Sequence, residues 1–388
     1  MSGEDKPKSK TRRILSLTFW LVILAALTLV VLSFIPGKQL GRSVLSEMFI
    51  SRSPVISVSE FNFEVGRSRV FAHTGGFTAA VGTLGLQVLG PDGQETLRNP
   101  FRADVPAVTE NNGYFLAYDI GGSSLRVFNS TAVLSAIETD GLLVSASINK
   151  NGWFCIVTQE KGSFRSAVAV YNNNGDQVYL VNVGSGFVLS AKLSADNKNL
   201  AILNMSDNGS RITYYNGIDS HKDEPDSIHT FGNTVVFDID FTSNSNILAF
   251  STHFVYTVNF TAIPTENEIY NFENKRLAGY TYTDSFIALH LYDYGIGYSG
   301  RTVSIDYNGD VLGEVISTHE LISIASDKNT LVLLRSDSLR FFDENLVEFP
   351  VLESNLVSTT AGHVLLVSSD MALIASDHFA IVIRREEV

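Results

Sequence analysis

The chain is poor in cysteine, tryptophan and proline, and each shortage limits what it can be. One cysteine, two tryptophans and nine prolines occur among 388 residues. A single cysteine cannot form an intramolecular disulfide, which excludes a small disulfide-stapled secreted scaffold. Because Cys155 lies in an apolar run, we expect a small buried side chain rather than a reactive thiol.

Basic residues are also scarce, and they are unevenly spread. The chain has 28 Lys and Arg against 41 Asp and Glu, a formal net charge of −13. Residues 1–42 hold seven of the basic residues and only two acidic ones, so the remainder carries −18. Binding a phosphate backbone requires clustered Lys and Arg. The acidic body therefore argues against a nucleic-acid partner.

One long uncharged segment stands out, residues 14–35. Its 22 residues would span about 33 Å as a helix, enough to cross a hydrocarbon core of about 30 Å. The alternative is a cleaved signal peptide. No small-x-small cleavage site follows the segment, and Pro36-Gly37-Lys38 comes instead, so we predict an uncleaved transmembrane helix.

The flanking charges predict the orientation of this helix. Five basic residues precede it, and Lys38 and Arg42 follow it, which favours a cytoplasmic N-terminus. We therefore expect a single-pass plasma-membrane protein, inserted by residues 14–35. Its predicted parts are a cytoplasmic basic tail (1–13), the helix (14–35), a juxtamembrane stalk (36–56) and an extracytoplasmic domain (57–388).

Beyond the stalk, short apolar runs follow polar turns at regular intervals, with no convincing helix. Eight turn-and-strand units are recognised, with turns at Gly75-Gly76, Asn111–Gly113, Asn149–Gly152, Ala195–Asn199, Ser243–Asn246, Asp284-Ser285, Ser326–Asn329 and Gly362-His363. The apolar strands begin near residues 77, 114, 153, 200, 247, 286, 331 and 364. The mean interval is about 41 residues, which fits four strands per repeat.

A repeat of this length predicts an all-β fold, a β-propeller of about eight four-stranded blades. Seven blades are the alternative, because the first and last units are irregular. A propeller hides the strand edges that a flat sheet of this size would expose. We expect ring closure through a strand near residues 61–65 that completes the blade containing 378–384. A sandwich pair would not repeat its turns at this interval, and the coils of a β-helix are shorter.

The basic tail, the anchor helix and a propeller with Asp- and Asn-rich blade turns together resemble a bacterial family catalogued only as a domain of unknown function. That family is found mainly in Clostridia-like organisms. The resemblance covers nearly the whole chain and implies a membrane-anchored propeller. It implies no functional residues, since the family has none assigned.

One pair of acidic residues is the only candidate site. Asp238 and Asp240 alternate with apolar residues in the strand 235–241, so their carboxylates share one face about 6.5 to 7 Å apart. On an inner strand they would approach the central channel, where carboxylates can serve acid–base chemistry or bind a hard cation. Two solvated carboxylates at the channel wall are the simpler interpretation.

Other motifs are weak, and we assign no catalytic, cofactor-binding or metal-binding residues. The spacing GxGxxG at residues 295–300 precedes a strand rather than a helix, which favours a flexible loop. The histidines lack HExxH spacing, and His221 and His229 fall in a polar insertion predicted to be an exposed loop. With only Trp20 and Trp153, the chain does not suit a quinone-cofactor propeller. We expect no cofactor.

These observations favour a non-enzymatic binding or scaffold module of the cell envelope. Its partners would be an envelope or membrane protein, a peptide or a glycan. One alternative is an extracytoplasmic carbohydrate-active hydrolase or lyase using Asp238 and Asp240. Another is a sensor domain that signals through a membrane partner.

Overall fold

The computed structural model describes residues 57–160, 162–220, 224–295, 297–349, 361–376 and 379–384. All of them belong to one unit, Val55–Glu386. The predicted tail (1–13), helix (14–35) and stalk (36–56) lie outside the described residues. No helix in the described part is long and apolar enough to cross a membrane.

Within the described residues, thirty-one strands form eight antiparallel sheets. The first sheet contains β2 (Val70–Thr74), β3 (Phe77–Val81), β4 (Gly85–Leu89) and β5 (Glu95–Pro100). The second contains β6 (Pro106–Asn111), β7 (Tyr114–Asp119), β8 (Ser124–Phe128) and β9 (Val133–Glu138). The third contains β10 (Leu142–Ile148), β11 (Phe154–Gln159), β12 (Ser166–Tyr171) and β13 (Gln177–Val183). The fourth contains β14 (Phe187–Leu193), β15 (Asn199–Ser206), β16 (Gly209–Asn216) and β17 (Ser227–Thr230).

The fifth sheet contains β18 (Val236–Phe241), β19 (Asn246–Ser251), β20 (Phe254–Asn259) and β21 (Thr265–Asn271). The sixth contains β22 (Arg276–Tyr282), β23 (Ile287–Tyr292), β24 (Gly300–Ile305) and β25 (Val311–Ser317). The seventh has three described strands, β26 (Leu321–Asp327), β27 (Thr330–Arg335) and β28 (Leu339–Asp343). The eighth contains β29 (Ala361–Ser368), β30 (Met371–Ser376), β31 (Phe379–Arg384) and β1 (Ser57–Asn62), and a 3₁₀ turn lies at Ile218–Ser220.

The burial of each strand follows its place in the sheet. The second strands are apolar runs that are buried along their length, as in β23 and β27. The outer strand β9 alternates between partly buried and exposed residues. A strand covered on both faces needs a continuous apolar run, whereas a strand covered on one face needs alternation. The order of strands within a blade is thus visible in the sequence.

The hydrophobic core lies between neighbouring sheets and runs all the way round the ring. Val168 of the third sheet and Leu200 of the fourth share one buried cluster. Ala80 of the first sheet and Leu373 of the eighth share another, so the last sheet packs on the first. Each of the other six junctions has its own cluster. The fold is an eight-bladed β-propeller, as predicted.

The ring closes through the first strand. Strand β1 pairs with β31 along its whole length, from Ser57 with Arg384 to Asn62 with Phe379. Closure from the N-terminal side was expected, but the strand lies four residues earlier than predicted. Phe63 and Val65 instead follow it as buried side chains in the junction between the eighth and first sheets. The apolar residues of this connecting segment resemble a strand in sequence, which explains why the predicted strand extended too far along the chain.

Seven of the eight predicted turns connect the first and second strands of a sheet. The eighth prediction is wrong, because Gly362 and His363 lie within the inner strand β29. The corresponding turn is at residues 369–370, between β29 and β30. The apolar run after Gly362 is therefore an inner strand. Starting the eighth second strand at Met371 makes the last interval as long as the others.

Candidate functional site

A cavity of about 620 Å³ lies in the centre of the ring, where the inner strands end. We call this end of the disc the cavity face. The turns that join first to second strands and third to fourth strands lie there too, since neighbouring strands are antiparallel. Six inner strands line the cavity with Thr109, Glu110, Asn111, Ser147, Ile148, Asn149, Lys192, Leu193, Asp238, Asp240, Tyr280, Thr281, Tyr282 and Ser326.

Asp238 and Asp240 lie on β18, the inner strand of the fifth sheet, and both line the cavity. The Oδ1 atom of Asp238 accepts a hydrogen bond from the Ile239 N–H at 2.9 Å. The Oδ1 atom of Asp240 accepts one from the Phe241 N–H at 2.8 Å. Each carboxylate is therefore held by its own backbone in a fixed orientation.

Two tyrosines of the next blade bind the same carboxylates. Tyr280 donates its hydroxyl to Asp238 Oδ2 at 2.8 Å, and Tyr282 donates to Asp240 Oδ2 at 2.6 Å. Both rings pack on Phe250, with centroids 4.3 and 5.6 Å away. Burial, together with the neighbouring carboxylates, raises the pKa of both tyrosines above the ordinary value. The phenols are therefore hydrogen-bond donors rather than acids.

Lys192 brings a positive charge into the cavity from β14. Burial alone would lower the pKa of this lysine, but the carboxylates of Asp240 and Asp238 outweigh it and raise the pKa. In the part of the chain that the structure describes, the ammonium makes no ion pair within 4.0 Å and no hydrogen bond. Lys192 is thus a charged donor without a direct partner among the described residues.

Glu110, on β6, is a third acidic residue in the lining of the cavity. Burial raises the pKa of its carboxyl to about 7, and the nearby charge of Asp327 adds to this shift, while a hydrogen bond with Thr74 opposes it. The neighbouring His73 is also affected by burial, which lowers the pKa of its imidazole. The cavity therefore combines an acid that exchanges its proton near neutrality with two carboxylates that are held by hydrogen bonds.

Sequence reasoning found the two aspartates but missed the groups around them. The tyrosines lie 42 residues after the aspartates that they bind, which is close to the repeat length. Lys192 and Glu110 also belong to inner strands. A shift of one repeat, about 41 residues, from Asp238 in either direction leads to a neighbouring inner strand or its end, and these strands line the same channel. The repeat was therefore the signal that could have identified these neighbours.

The other residues considered from sequence do not form sites. Cys155 is buried, its thiol contacts Ser147 Oγ and the Ala191 carbonyl, and burial raises its pKa to about 11. Residues 295 and 297–299 lie in the connection between β23 and β24, Gly300 begins β24, and residue 296 lies outside the described part. Among the described residues, no group of three or more His, Cys, Asp or Glu is arranged to hold a metal ion.

The prediction of an exposed loop is wrong for His229 and lies outside the described residues for His221. His229 belongs to the outer strand β17, which pairs with β16. Its Nε2 atom lies 2.7 Å from Glu266 Oε2 in the next sheet. The alternating burial of β17 accounts for the error, because a short half-exposed strand looks polar in sequence.

The opposite end of the disc, where the inner strands begin, has a different surface. Nine of the seventeen large exposed apolar side chains among the described residues lie at this end: Leu84, Val105, Ile120, Leu142, Phe164, Phe187, Val235, Tyr294 and Tyr298. We call it the apolar face. Only Ile263 and Val347 lie in loops of the cavity face, and five others belong to outer strands. Phe237 belongs to the inner strand β18 and contacts the ring of Tyr280.

Residues 63–348 match the model of a family described as a family of unknown function, DUF5711. The chain belongs to the DUF5711 family. The family match covers most of the propeller and confirms the resemblance in this form. Bacterial origin and membrane anchoring stay predictions. No curated protein matches the chain in sequence.

Solved structures share the fold of this DUF5711 protein at low identity. BamB from Moraxella catarrhalis is 13% identical with a TM-score of 0.54, covering 85% of this chain and 99% of that chain. The C-terminal WD40 domain of Sif2 is 11% identical with a TM-score of 0.60, covering 87% and 100%. The WD40 domain of SCAP from fission yeast is 11% identical with a TM-score of 0.53, covering 85% and 98%. At these identities the similarity extends to the propeller fold alone.

Proposed function

We propose that this DUF5711 protein is a membrane-tethered binding or scaffold module of the cell envelope. Its propeller engages a partner protein through the apolar face. The observation that carries the proposal is the concentration of exposed apolar side chains on that face. Isolated exposed apolar residues are ordinary on proteins, whereas their accumulation on one surface is typical of interaction sites.

Neighbouring contacts support a continuous surface. The Ile120 N–H donates to the Val105 carbonyl at 2.9 Å, so these two loops lie side by side. The guanidinium of Arg165 lies 5.4 Å from the ring centroid of Phe187. An arginine stacked on an exposed aromatic ring is a common feature of protein interfaces.

Charged residues of both signs lie among the apolar side chains of this face. Arg67, Arg102 and Arg165 are exposed there, and so are Glu64 and Asp104 in the same connections. A partner surface with apolar side chains and charges of both signs would complement this face. We therefore propose a protein partner whose contact surface is mainly apolar, with charges of both signs.

The tether in this proposal is the helix predicted for residues 14–35, with residues 1–13 in the cytoplasm and the stalk 36–56 leading to the outer domain. The uncharged segment and the basic residues before it support this arrangement. Membrane fractions washed with alkaline carbonate should retain the full chain and release a variant that lacks residues 1–35. Protease added outside intact cells should digest the propeller while sparing the N-terminal tail.

The partner proposal can be tested by photo-crosslinking in cells from a probe residue at position 187 or position 263. Phe187 is 60% exposed on the apolar face, and Ile263 is 79% exposed in a loop of the cavity face. We expect capture of one protein from position 187 only. Arg165→Glu should weaken that capture, because it reverses the charge beside position 187. Equal capture from both positions, or none from position 187, would overturn the proposal.

A second candidate function is cleavage of an exported carbohydrate in the central cavity, by a hydrolase or a lyase reaction. The observation in its favour is that Glu110, with a pKa of about 7, lines the same cavity as Asp238 and Asp240. A proton donor near neutrality together with carboxylates is the usual machinery of glycoside cleavage. Asp238→Asn with Asp240→Asn, and separately Glu110→Gln, should then abolish turnover of a polysaccharide.

A further inference from the structure

We propose that the cavity in the ring is a binding site for a neutral, polyhydroxylated ligand, a short saccharide, held between Lys192 and the Asp238–Asp240 pair. This goes beyond the proposed function, which uses the opposite face of the disc. It requires no bond cleavage, so it is also distinct from the hydrolase alternative.

The size and lining of the cavity suit a small polar molecule. Its volume of about 620 Å³ falls within the range of roughly 300–1,000 Å³ that is common for ligand sites. Of its fourteen lining residues, only Ile148 and Leu193 lack a polar side-chain atom. An apolar ligand would leave many of the polar groups unpaired, which costs free energy. The ligand should therefore form many hydrogen bonds.

The two carboxylates are held in position and keep capacity to accept hydrogen bonds. Within the described residues, each carboxylate accepts one bond from a backbone N–H and one from a tyrosine. An ionised carboxylate has about four acceptor positions. Each aspartate can therefore accept hydroxyl donors from a ligand without changing its existing contacts.

Lys192 supplies the complementary donors. Its ammonium is close enough to both aspartates for their charges to raise its pKa, yet it lies more than 4.0 Å from their carboxylate oxygens. The described chain thus leaves a gap between free donors on one side and free acceptors on the other. A sugar hydroxyl accepts a hydrogen bond from an ammonium and donates one to a carboxylate, so neighbouring hydroxyls fill such a gap.

The charges in the cavity exclude the simplest alternatives. An anion such as phosphate would meet Asp238, Asp240 and, above neutral pH, ionised Glu110. A metal ion would be repelled by Lys192, and no described group of three suitable ligands is present. Like charges at close range in a partly buried site repel strongly, because the local dielectric constant is lower than that of water. A neutral ligand uses both signs of charge without adding its own.

The test is calorimetric titration of the full chain in detergent with neutral probes and charged comparators. The neutral probes are cellobiose, maltotriose and N,N′-diacetylchitobiose, and the comparators are digalacturonate and the deacetylated chitobiose. We expect one-to-one binding of at least one neutral probe. Since a hydrogen bond to a charged group contributes about 1.5–3 kcal/mol, Lys192→Met should weaken binding at least about tenfold.

Lys198→Met is the matched control, because Lys198 is an exposed lysine of the same sheet outside the cavity lining. It should leave the affinity within about twofold, well under 1 kcal/mol. Asp238→Asn should weaken binding as Lys192→Met does, and thermal melting of each variant checks folding. The proposal is wrong if no neutral probe binds up to about 10 mM, a free energy near −3 kcal/mol. Tighter binding of a charged comparator, or an equal loss in Lys198→Met, would also overturn it.

These results remain separate from those on the apolar face. Lys192→Met should leave photo-crosslinking from position 187 unchanged, and Arg165→Glu should leave saccharide titration unchanged. Recovery of the probe intact after incubation distinguishes binding from hydrolysis, since cleavage would produce smaller sugars. Each proposal can therefore fail while the other stands.

Discussion

The two faces of the propeller are built from the same strands but expose different chemistry. At the cavity face, the tight turns carry Asn, Asp and Ser side chains that bind their own backbone. Asn149 Oδ1, for example, accepts the N–H groups of Asn151 and Trp153. At the apolar face, residues such as Leu84 and Phe187 stand in solvent, with 70% and 60% of their surface exposed.

The polar turns are required by the fold, whereas the exposed apolar side chains are not. A tight turn needs polar side chains that satisfy its backbone groups and residues that tolerate its geometry. No turn needs an exposed phenyl or isobutyl group. The polar turns are therefore explained by folding alone, whereas the apolar face points to an additional role.

The largest expected effect contrasts a phenyl group beneath the cavity with one on the apolar face. Phe250 is fully buried and supports the rings of Tyr280 and Tyr282. Phe250→Ala should lower the free energy of unfolding by about 3–5 kcal/mol. Phe187→Ala should change it by less than about 0.5 kcal/mol. Urea unfolding of both variants measures the contrast, and similar losses would show that Phe187 is part of the core.

The next effect concerns pH. Burial raises the pKa of Glu110 from 4.5 to about 7, so between these values the unfolded chain releases a proton that the folded chain keeps. This contribution to stability is complete below pH 4.5 and is lost as the pH rises to 7. The shift corresponds to about 3 kcal/mol.

Glu110→Gln should remove that dependence. From pH 4.5 to pH 8, the free energy of unfolding of the variant should rise by up to about 3 kcal/mol relative to that of the unchanged protein. Denaturant unfolding of both proteins at both pH values measures this change. Subtracting one protein from the other at each pH removes the contributions of all other titrating groups. Parallel curves for the two proteins would mean that Glu110 titrates normally.

A smaller effect compares two tyrosine hydroxyls. Tyr282→Phe removes the bond to Asp240 and leaves a partly buried carboxylate with one donor fewer, so we expect a loss of about 1–2 kcal/mol. Tyr298 lies on the apolar face with 43% of its surface exposed. Tyr298→Phe should be neutral within about 0.5 kcal/mol. Equal effects would contradict the hydrogen-bonded arrangement at Asp240.

The smallest expected effect on stability is at the apolar face itself. Leu84→Ser combined with Phe187→Ser should change the free energy of unfolding by less than about 1 kcal/mol, because both side chains are exposed. The same pair should reduce binding of a hydrophobic fluorescent dye. Ile263→Ser is the control. Unchanged dye binding in the double variant would show that the nine residues of the apolar face do not form one accessible surface.

Much of the fold could be predicted from the sequence because the repeat is carried by local signals. Turns rich in Asn, Asp and Gly and continuous apolar second strands recur about every 41 residues, so eight blades and N-terminal ring closure followed. The errors lie where one sequence pattern is compatible with two kinds of structure. The run after Gly362 suits either an inner or a second strand, and Phe63 and Val65 suit either a strand or a buried connection.

The candidate site was predictable only in part. The alternation around Asp238 and Asp240 indicated one shared face, but not which groups meet them. Their partners come from a neighbouring blade, and many bonds between blades join residues about one repeat apart, as between Asn149 and Ser194 or Thr281 and Ser326. The raised pKa of Glu110 depends on burial by the assembled ring. No local pattern contains that information.

The pairing of β1 with β31 also sets an order in time. Ser57 meets Arg384 more than 300 residues later in the chain. During synthesis, the strand next to the predicted anchor emerges first, yet it reaches its place last, when β29 to β31 are complete. Bringing such distant segments together is entropically costly and slow. Until β31 has formed, β1 has no strand to pair with, and the last sheet is incomplete. We therefore expect wrong strand pairing to be most frequent just before synthesis ends.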